Sequence, residues 1–186
     1  MPSILGDTVQ NFLKQIEQRS ITVGVLGLGY VGLPLAVAFA EAGFKVIGLD
    51  VNDKRVDQLN SGDSYIADVP TQTLAKQVEA GHLTATTEAR KIAEMEAVVI
   101  CVPTPLSTPR DPDVSYIMAA AEEVSRHIHP GMLVIMESTT YPGTTEEVLL
   151  PTLSVNDLVV GEDYYLAFSP ERIDPGNEKY LSLIHI

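Results

Sequence analysis

The sequence predicts an α/β fold: a doubly wound parallel sheet of six strands, with helices on both faces and a short extra helix at the N-terminus. Three observations predict it. Short apolar runs (21–26, 45–49, 97–102, 132–136 and 164–168) alternate with stretches of helical periodicity, as strands buried on both faces of a parallel sheet do. Gly27, Gly29 and Gly32 stand at G-x-G-x-x-G spacing between the first run and the helix after it. The second run ends on an acid, Asp50, eighteen residues past Gly32.

In chain order, residues 7–18 place Val9, Phe12, Leu13 and Ile16 on one helical stripe, suited to the outside of the domain or to a partner subunit. The first strand, Ile21 to Leu26, leads into the glycine turn. Gly27 permits the tight turn, Gly29 lets the backbone approach a pyrophosphate, and Gly32 lets the helix pack closely on the strand. The amides of Tyr30 and Val31 then sit at a helix N-terminus, which favours phosphate. That helix, Leu33 to Ala42, is closed by Gly43 and followed by the second strand, Lys45 to Leu49. Asp50 stands where a carboxylate accepts hydrogen bonds from adenosine ribose hydroxyls and repels a 2′-phosphate; Val51 and Asn52 follow, with no arginine for that phosphate. The reading is NAD rather than NADP in a Rossmann sheet. The alternative is a βαβ unit that binds nothing, with Asp50 capping the next helix.

A short helix over Asn52 to Asn60 stops at Ser61-Gly62. Arg55 reaches the adenosine end or is simply solvated; spacing leaves both open. Pro70 opens a helix through Ala80, with Gly81 behind it; His82 to Ala85 is the third strand, with His82 a surface residue, and Glu88 to Glu94 is helical. The fourth strand, Ala97 to Val102, contains Cys101, read as a small core residue, and ends in Pro103-Thr104-Pro105 and a proline-rich loop to Pro112. Thr104 is placed at the carboxyl edge, where it meets the nicotinamide-side ribose. Asp113 caps a helix from Val114 to His129. His127 and His129 lie near its end on different faces, so no metal site is expected there.

The fifth strand, Met132 to Met136, delivers Glu137-Ser138-Thr139-Thr140-Tyr141-Pro142-Gly143-Thr144-Thr145 to the same edge. Those hydroxyls suit a cofactor ribose or a positioned water. Thr144 also suits capping of a helix over Thr145 to Leu153. Tyr164 to Phe168 is the sixth strand, ending in Ser169-Pro170-Glu171-Arg172-Ile173-Asp174-Pro175-Gly176. The expected strand order is 3-2-1-4-5-6.

Composition narrows the function further. The chain has 186 residues, 45% of them hydrophobic, and a net charge of −13, which argues against nucleic acid as a partner. No apolar run is long enough to span a bilayer, so no membrane role is expected, and a lone cysteine fits a cytoplasmic protein.

Four motifs in order, Gly-Leu-Gly-Tyr-Val-Gly-Leu-Pro (27–34), Cys-Val-Pro-Thr-Pro (101–105), Glu-Ser-Thr-Thr-Tyr-Pro-Gly-Thr-Thr (137–145) and Phe-Ser-Pro-Glu-Arg-Ile-Asp-Pro-Gly-Asn (168–177), resemble the UDP-glucose/GDP-mannose dehydrogenase family. They are most similar to the branch acting on UDP-N-acetylglucosamine and UDP-N-acetylmannosamine. The resemblance implies oxidation of a sugar 6-hydroxymethyl to a carboxylate with two NAD⁺ in succession, through a cysteine-bound thiohemiacetal and thioester. It implies that Gly27 to Gly32, with Tyr30 and Val31, hold the pyrophosphate, and that Asp50 and Arg55 hold the adenosine end. Val102, Pro103, Thr104 and Pro105 line the cofactor with Ser138, Thr139 and Thr140. Thr139 matches a water-positioning threonine. Glu171 matches an acid/base in thioester hydrolysis, and Glu171, Arg172, Ile173 and Asp174 lie where the UDP-sugar binds. The chain departs from relatives with a Pro-Glu-Phe-Leu-Ala-Glu loop, since Pro175 replaces the second glutamate.

The family's nucleophilic cysteine, its oxyanion lysine and asparagine, and its sugar-nucleotide domain have no counterpart in these residues; Cys101 does not match the nucleophile. The expectation is an N-terminal helix over 1–20, a Rossmann domain over 21–180 and a non-native tail over 181–186. The tail Leu181-Ser182-Leu183-Ile184-His185-Ile186 is what CTGTCTCTTATACACATC, a transposon-end adapter, encodes. The piece by itself is expected to bind NAD without turnover, and the full-length enzyme to form a homodimer or larger. Two other readings remain: another two-domain dehydrogenase of hydroxyacid type, and a stand-alone NAD(H)-sensing module.

Overall fold

The computed structural model describes residues 4–105, 113–154 and 157–170. Helix α1 (Ile4–Glu17) precedes β1 (Thr22–Leu26), α2 (Gly32–Glu41), β2 (Lys45–Leu49), α3 (Asp53–Asn60), α4 (Thr71–Glu79) and β3 (Leu83–Thr86). A 3₁₀ turn (Ala89–Glu94), β4 (Ala97–Ile100), α5 (Ser115–His127), β5 (Leu133–Met136), a π turn (Thr145–Leu149), α6 (Leu150–Leu153) and β6 (Tyr165–Phe168) follow. All strand pairs are parallel, and the order is β3-β2-β1-β4-β5-β6, as the sequence predicts.

The register positions the site. Leu26 pairs with Leu49 and with Ile100, Ile100 with Met136, and Met136 with Phe168. Gly27, Asp50, Cys101 and Glu137 therefore leave aligned strand ends at one edge. The sheet's direction of winding switches between β1 and β4, and the crevice outside the carboxyl ends opens there.

Alternation along each strand builds two cores. Val23, Val25, Val46, Ala97 and Val99 face α2 and α4; Leu26, Ile47, Val98, Ile100, Val134 and Met136 face α5 and α6. Phe12 and Ile16 of α1 pack against the first core, the placement on the outside of the domain. Arg19 fixes the exit from α1. Its guanidinium donates to Ala42 O and lies 4.8 Å from the Phe44 ring centroid.

Several expected boundaries shift. Helix α5 starts at Ser115 and stops at His127, because Pro130 disfavours helical geometry at His129. Asp113 Oδ1 accepts from the Ser115 N–H, but Val114 occupies the cap position, so Asp113 sits one residue outside it. The helix expected over Thr145 to Leu153 is a π turn followed by a short α segment. Pro151 has no N–H to donate and its ring crowds the preceding turn, so regular winding is interrupted. Thr144 does not cap that helix. It is buried, and its hydroxyl donates to Tyr141 O and meets Thr140 Oγ1 at 2.7 Å. No helix among the described residues is long and apolar enough to cross a membrane.

Candidate functional site

A cavity of about 750 Å³ opens at the carboxyl edge, within the range of small-molecule sites. Three glycines shape the turn at its floor, each for a different reason. Gly27 has φ +91°, and a Cβ on it would stand 2.8 Å from Cys101 O. A Cβ on Gly32 would stand 1.8 Å from Gly27 O, so α2 packs on the turn backbone to backbone. Gly29 has neither constraint: its φ is outside the left-handed region, and among the described residues a Cβ there would meet no atom beyond its chain neighbours within 4 Å. Gly29 lines the cavity, so the space that a side chain would fill belongs to whatever enters. A pyrophosphate approaching the start of α2 fits that cradle.

Asp50 is 5% exposed and already holds three donors. Oδ2 accepts from Leu28 N at 2.9 Å and Arg55 NH1 at 3.4 Å, and Oδ1 accepts from Asn52 N at 2.9 Å. Asn52, not Asp50, caps α3, its side chain accepting from Lys54 N and Arg55 N. The fixed carboxylate faces the cavity, where vicinal ribose hydroxyls can donate to its remaining lone pairs. Among the described lining residues Arg55 is the one cation, and it is paired with Asp50. Asp50, Glu122, Glu123 and Glu137 line the same space. That balance opposes a 2′-phosphate and suits NAD.

The cavity gathers Gly27, Gly29, Tyr30, Val31, Asp50, Arg55, Val102, Pro103, Thr104, Ser138 and Thr139. Gly32, Pro105 and Thr140 do not line it. Gly32 packs beneath the turn, Pro105 O accepts from Asp113 N at 2.8 Å, and Thr140 lines a neighbouring cavity of about 550 Å³ with Tyr141 and Phe168. Ser138 is buried, and its hydroxyl lies 2.8 Å from Val102 O and 3.3 Å from Ile100 O, tying the end of β5 to the end of β4. Cys101 is a buried core residue that also touches the cavity. Glu171, Arg172, Ile173 and Asp174 lie outside the described residues. Among the described residues no three His, Cys, Asp or Glu side chains gather as a metal site.

Sequence reasoning missed one wall. Tyr116, Ala119, Ala120 and Glu123 of α5 line the cavity along one helical stripe, and Val51, which is 95% exposed, lines it too. The 3.6-residue spacing and small central side chains are the signal that marks this face.

The comparisons with known proteins agree with this geometry. The model of the UDP-glucose/GDP-mannose dehydrogenase family, NAD binding domain, matches residues 21–181. The UDP-N-acetyl-D-glucosamine 6-dehydrogenase of Salmonella typhi is 41% identical over 162 residues, which are 86% of this chain and 37% of that protein. The solved UDP-D-ManNAc dehydrogenase of Pyrococcus horikoshii superposes with a TM-score of 0.79 at 37% identity, covering 84% of this chain and 37% of that one. GDP-mannose dehydrogenase from Pseudomonas aeruginosa, solved as a ternary complex, gives 0.78 at 30% identity over 82% of this chain and 36% of that one. The chain thus spans a little over a third of the length of the relatives it matches. With that match over most of its residues, the chain belongs to the UDP-glucose/GDP-mannose dehydrogenase family and is its NAD-binding domain.

Proposed function

We propose that this chain is the cofactor-binding part of a nucleotide-sugar 6-dehydrogenase that oxidises the 6-hydroxymethyl of a UDP-N-acetylhexosamine to a carboxylate. The substrate class rests on the similarity to dehydrogenases of UDP-N-acetylglucosamine and UDP-N-acetylmannosamine. The cofactor site rests on one observation above the others: Gly29 lines a cavity, and among the described residues no atom beyond its chain neighbours lies within 4 Å of where its Cβ would stand.

NAD⁺, when bound, supplies the hydride acceptor. The chain's own residues bind and orient it and supply part of the site, while the thioester-forming cysteine belongs to the rest of the full-length enzyme. The turn from Gly27 to Gly32, with the amides of Tyr30 and Val31, holds the pyrophosphate. Asp50 accepts from the adenosine ribose hydroxyls, and Arg55, which is half-exposed, stays within reach of the same end. Val102 to Thr104, Ser138 and Thr139 wall the nicotinamide end, and Thr139 positions a water. Glu171 exchanges protons with that water in thioester hydrolysis, and Arg172 to Asp174 contact the sugar nucleotide. The full-length enzyme works in the cytosol as a homodimer or larger assembly.

The test pairs binding with turnover. NADH is titrated into the chain, with NADPH as control, and the full-length enzyme carrying these residues is assayed with UDP-sugars. Two NADH formed per UDP-N-acetylhexosamine, with tighter binding of NADH than NADPH, is the expected result. Activity on free hydroxyacids instead of UDP-sugars would overturn the substrate assignment.

A further inference from the structure

Leu28, between the first two glycines, is held at both backbone polar groups by side chains from outside the turn. Its N–H donates to Asp50 Oδ2 at 2.9 Å, and its carbonyl oxygen accepts from the Tyr65 hydroxyl at 2.9 Å. Its side chain is fully buried against Gly48, where a Cβ would stand 2.7 Å from Leu28 Cδ2. Leu28 is therefore tethered at both flanking peptides.

Tyr65 lies between α3 and α4, beyond the βαβ unit that carries the glycines, and it does not line the cavity. A trans peptide is planar, so the Leu28 carbonyl and the Gly29 N–H, which share one peptide unit, point in opposite directions. Holding the carbonyl toward Tyr65 aims the Gly29 N–H away from it, on the residue that lines the cavity.

We infer that Tyr65 is a positioning residue for cofactor binding: through the Leu28 carbonyl it sets the direction of the Gly29 amide and raises affinity for the pyrophosphate without touching it. Asp50 performs the matching task on the Leu28 N–H, so the ribose acid and the phosphate turn are locked through one residue. Burial and the Asp50 carboxylate, opposed by Arg55, push the Tyr65 hydroxyl up to about 12, so it remains a donor at neutral pH.

The inference rests on the NAD reading above, and its test separates the two. The chain and its Tyr65→Phe variant are titrated with NADH, followed by nicotinamide fluorescence, and with adenosine, followed by calorimetry. Adenosine meets Asp50 but carries no pyrophosphate. The expected result is a rise of about tenfold in the Kd for NADH, the scale of one hydrogen bond, with the adenosine Kd unchanged within about twofold. NADH affinity unchanged by the substitution, or NADH and adenosine weakened alike, would overturn the role of Tyr65 alone. Failure of the unsubstituted chain to bind NADH would overturn the NAD reading and this inference with it.

Discussion

Gly32 stands so close to Gly27 that a Cβ on Gly32 would lie 1.8 Å from the Gly27 carbonyl oxygen. The obstacle is backbone, not a side-chain tip that can swing aside. Gly32→Ala must separate α2 from the turn, at a cost of about 2–3 kcal/mol by the measure of overpacked cores. Urea unfolding should show that loss, and a change under about 0.5 kcal/mol would mean that the helix approaches less closely than described.

Asp50 holds two backbone N–H groups, and its proposed role in cofactor selection is separable from that. Asp50→Ala leaves the N–H groups of Leu28 and Asn52 without their acceptor, and stability should fall by about 2 kcal/mol. Asp50→Asn keeps an acceptor for Leu28 but removes the charge that repels a 2′-phosphate. The ratio of NADPH to NADH dissociation constants should then fall by about tenfold or more. A ratio unchanged in Asp50→Asn would remove Asp50 from cofactor selection.

The ion pair between Arg55 and Asp50 contributes little to folding. The Arg55 side chain is 46% exposed and 3.4 Å from its partner, so solvent screens it. Arg55→Ala should change unfolding free energy by less than about 1 kcal/mol while weakening NADH binding several-fold. The reverse pattern, a large stability loss with intact binding, would make Arg55 structural.

Much of this was legible in the sequence because the informative signals were short-range. The glycine spacing, the apolar runs and the acid after the second run specify a sheet, a turn and a carboxylate at the cavity beside that turn. Longer-range facts were not legible. Thr144 looks like a cap, yet it folds inward and its hydroxyl donates a hydrogen bond to Tyr141 O, since tertiary burial overrides local capping preference. The α5 wall was hidden because the stripe from Tyr116 to Glu123 also suits an ordinary solvated helix face, and only the sheet's crossover brings it over the crevice. Tyr65 carried no motif at all; its role depends on a contact thirty-seven residues away.

Tyr65 also gives a pH signature. Its hydroxyl is raised from 10.0 to about 12 in the folded chain. Between those values the unfolded state releases a proton that the folded state keeps, so this group's contribution is full below about pH 10 and is lost as pH rises toward 12. The stability difference between the chain and Tyr65→Phe should shrink across that window and stay flat below it. A difference that grows with pH there would contradict the assigned environment.

The central claim is that the space beside Gly29 exists for a bound dinucleotide. Gly29→Ala tests it most directly, because no described protein atom lies within 4 Å of the added methyl. Unfolding free energy and the NADH dissociation constant should be measured on the same preparation. The account predicts stability unchanged within about 0.5 kcal/mol and NADH affinity reduced by tenfold or more. A folded variant that binds NADH as tightly as the unsubstituted chain would contradict it.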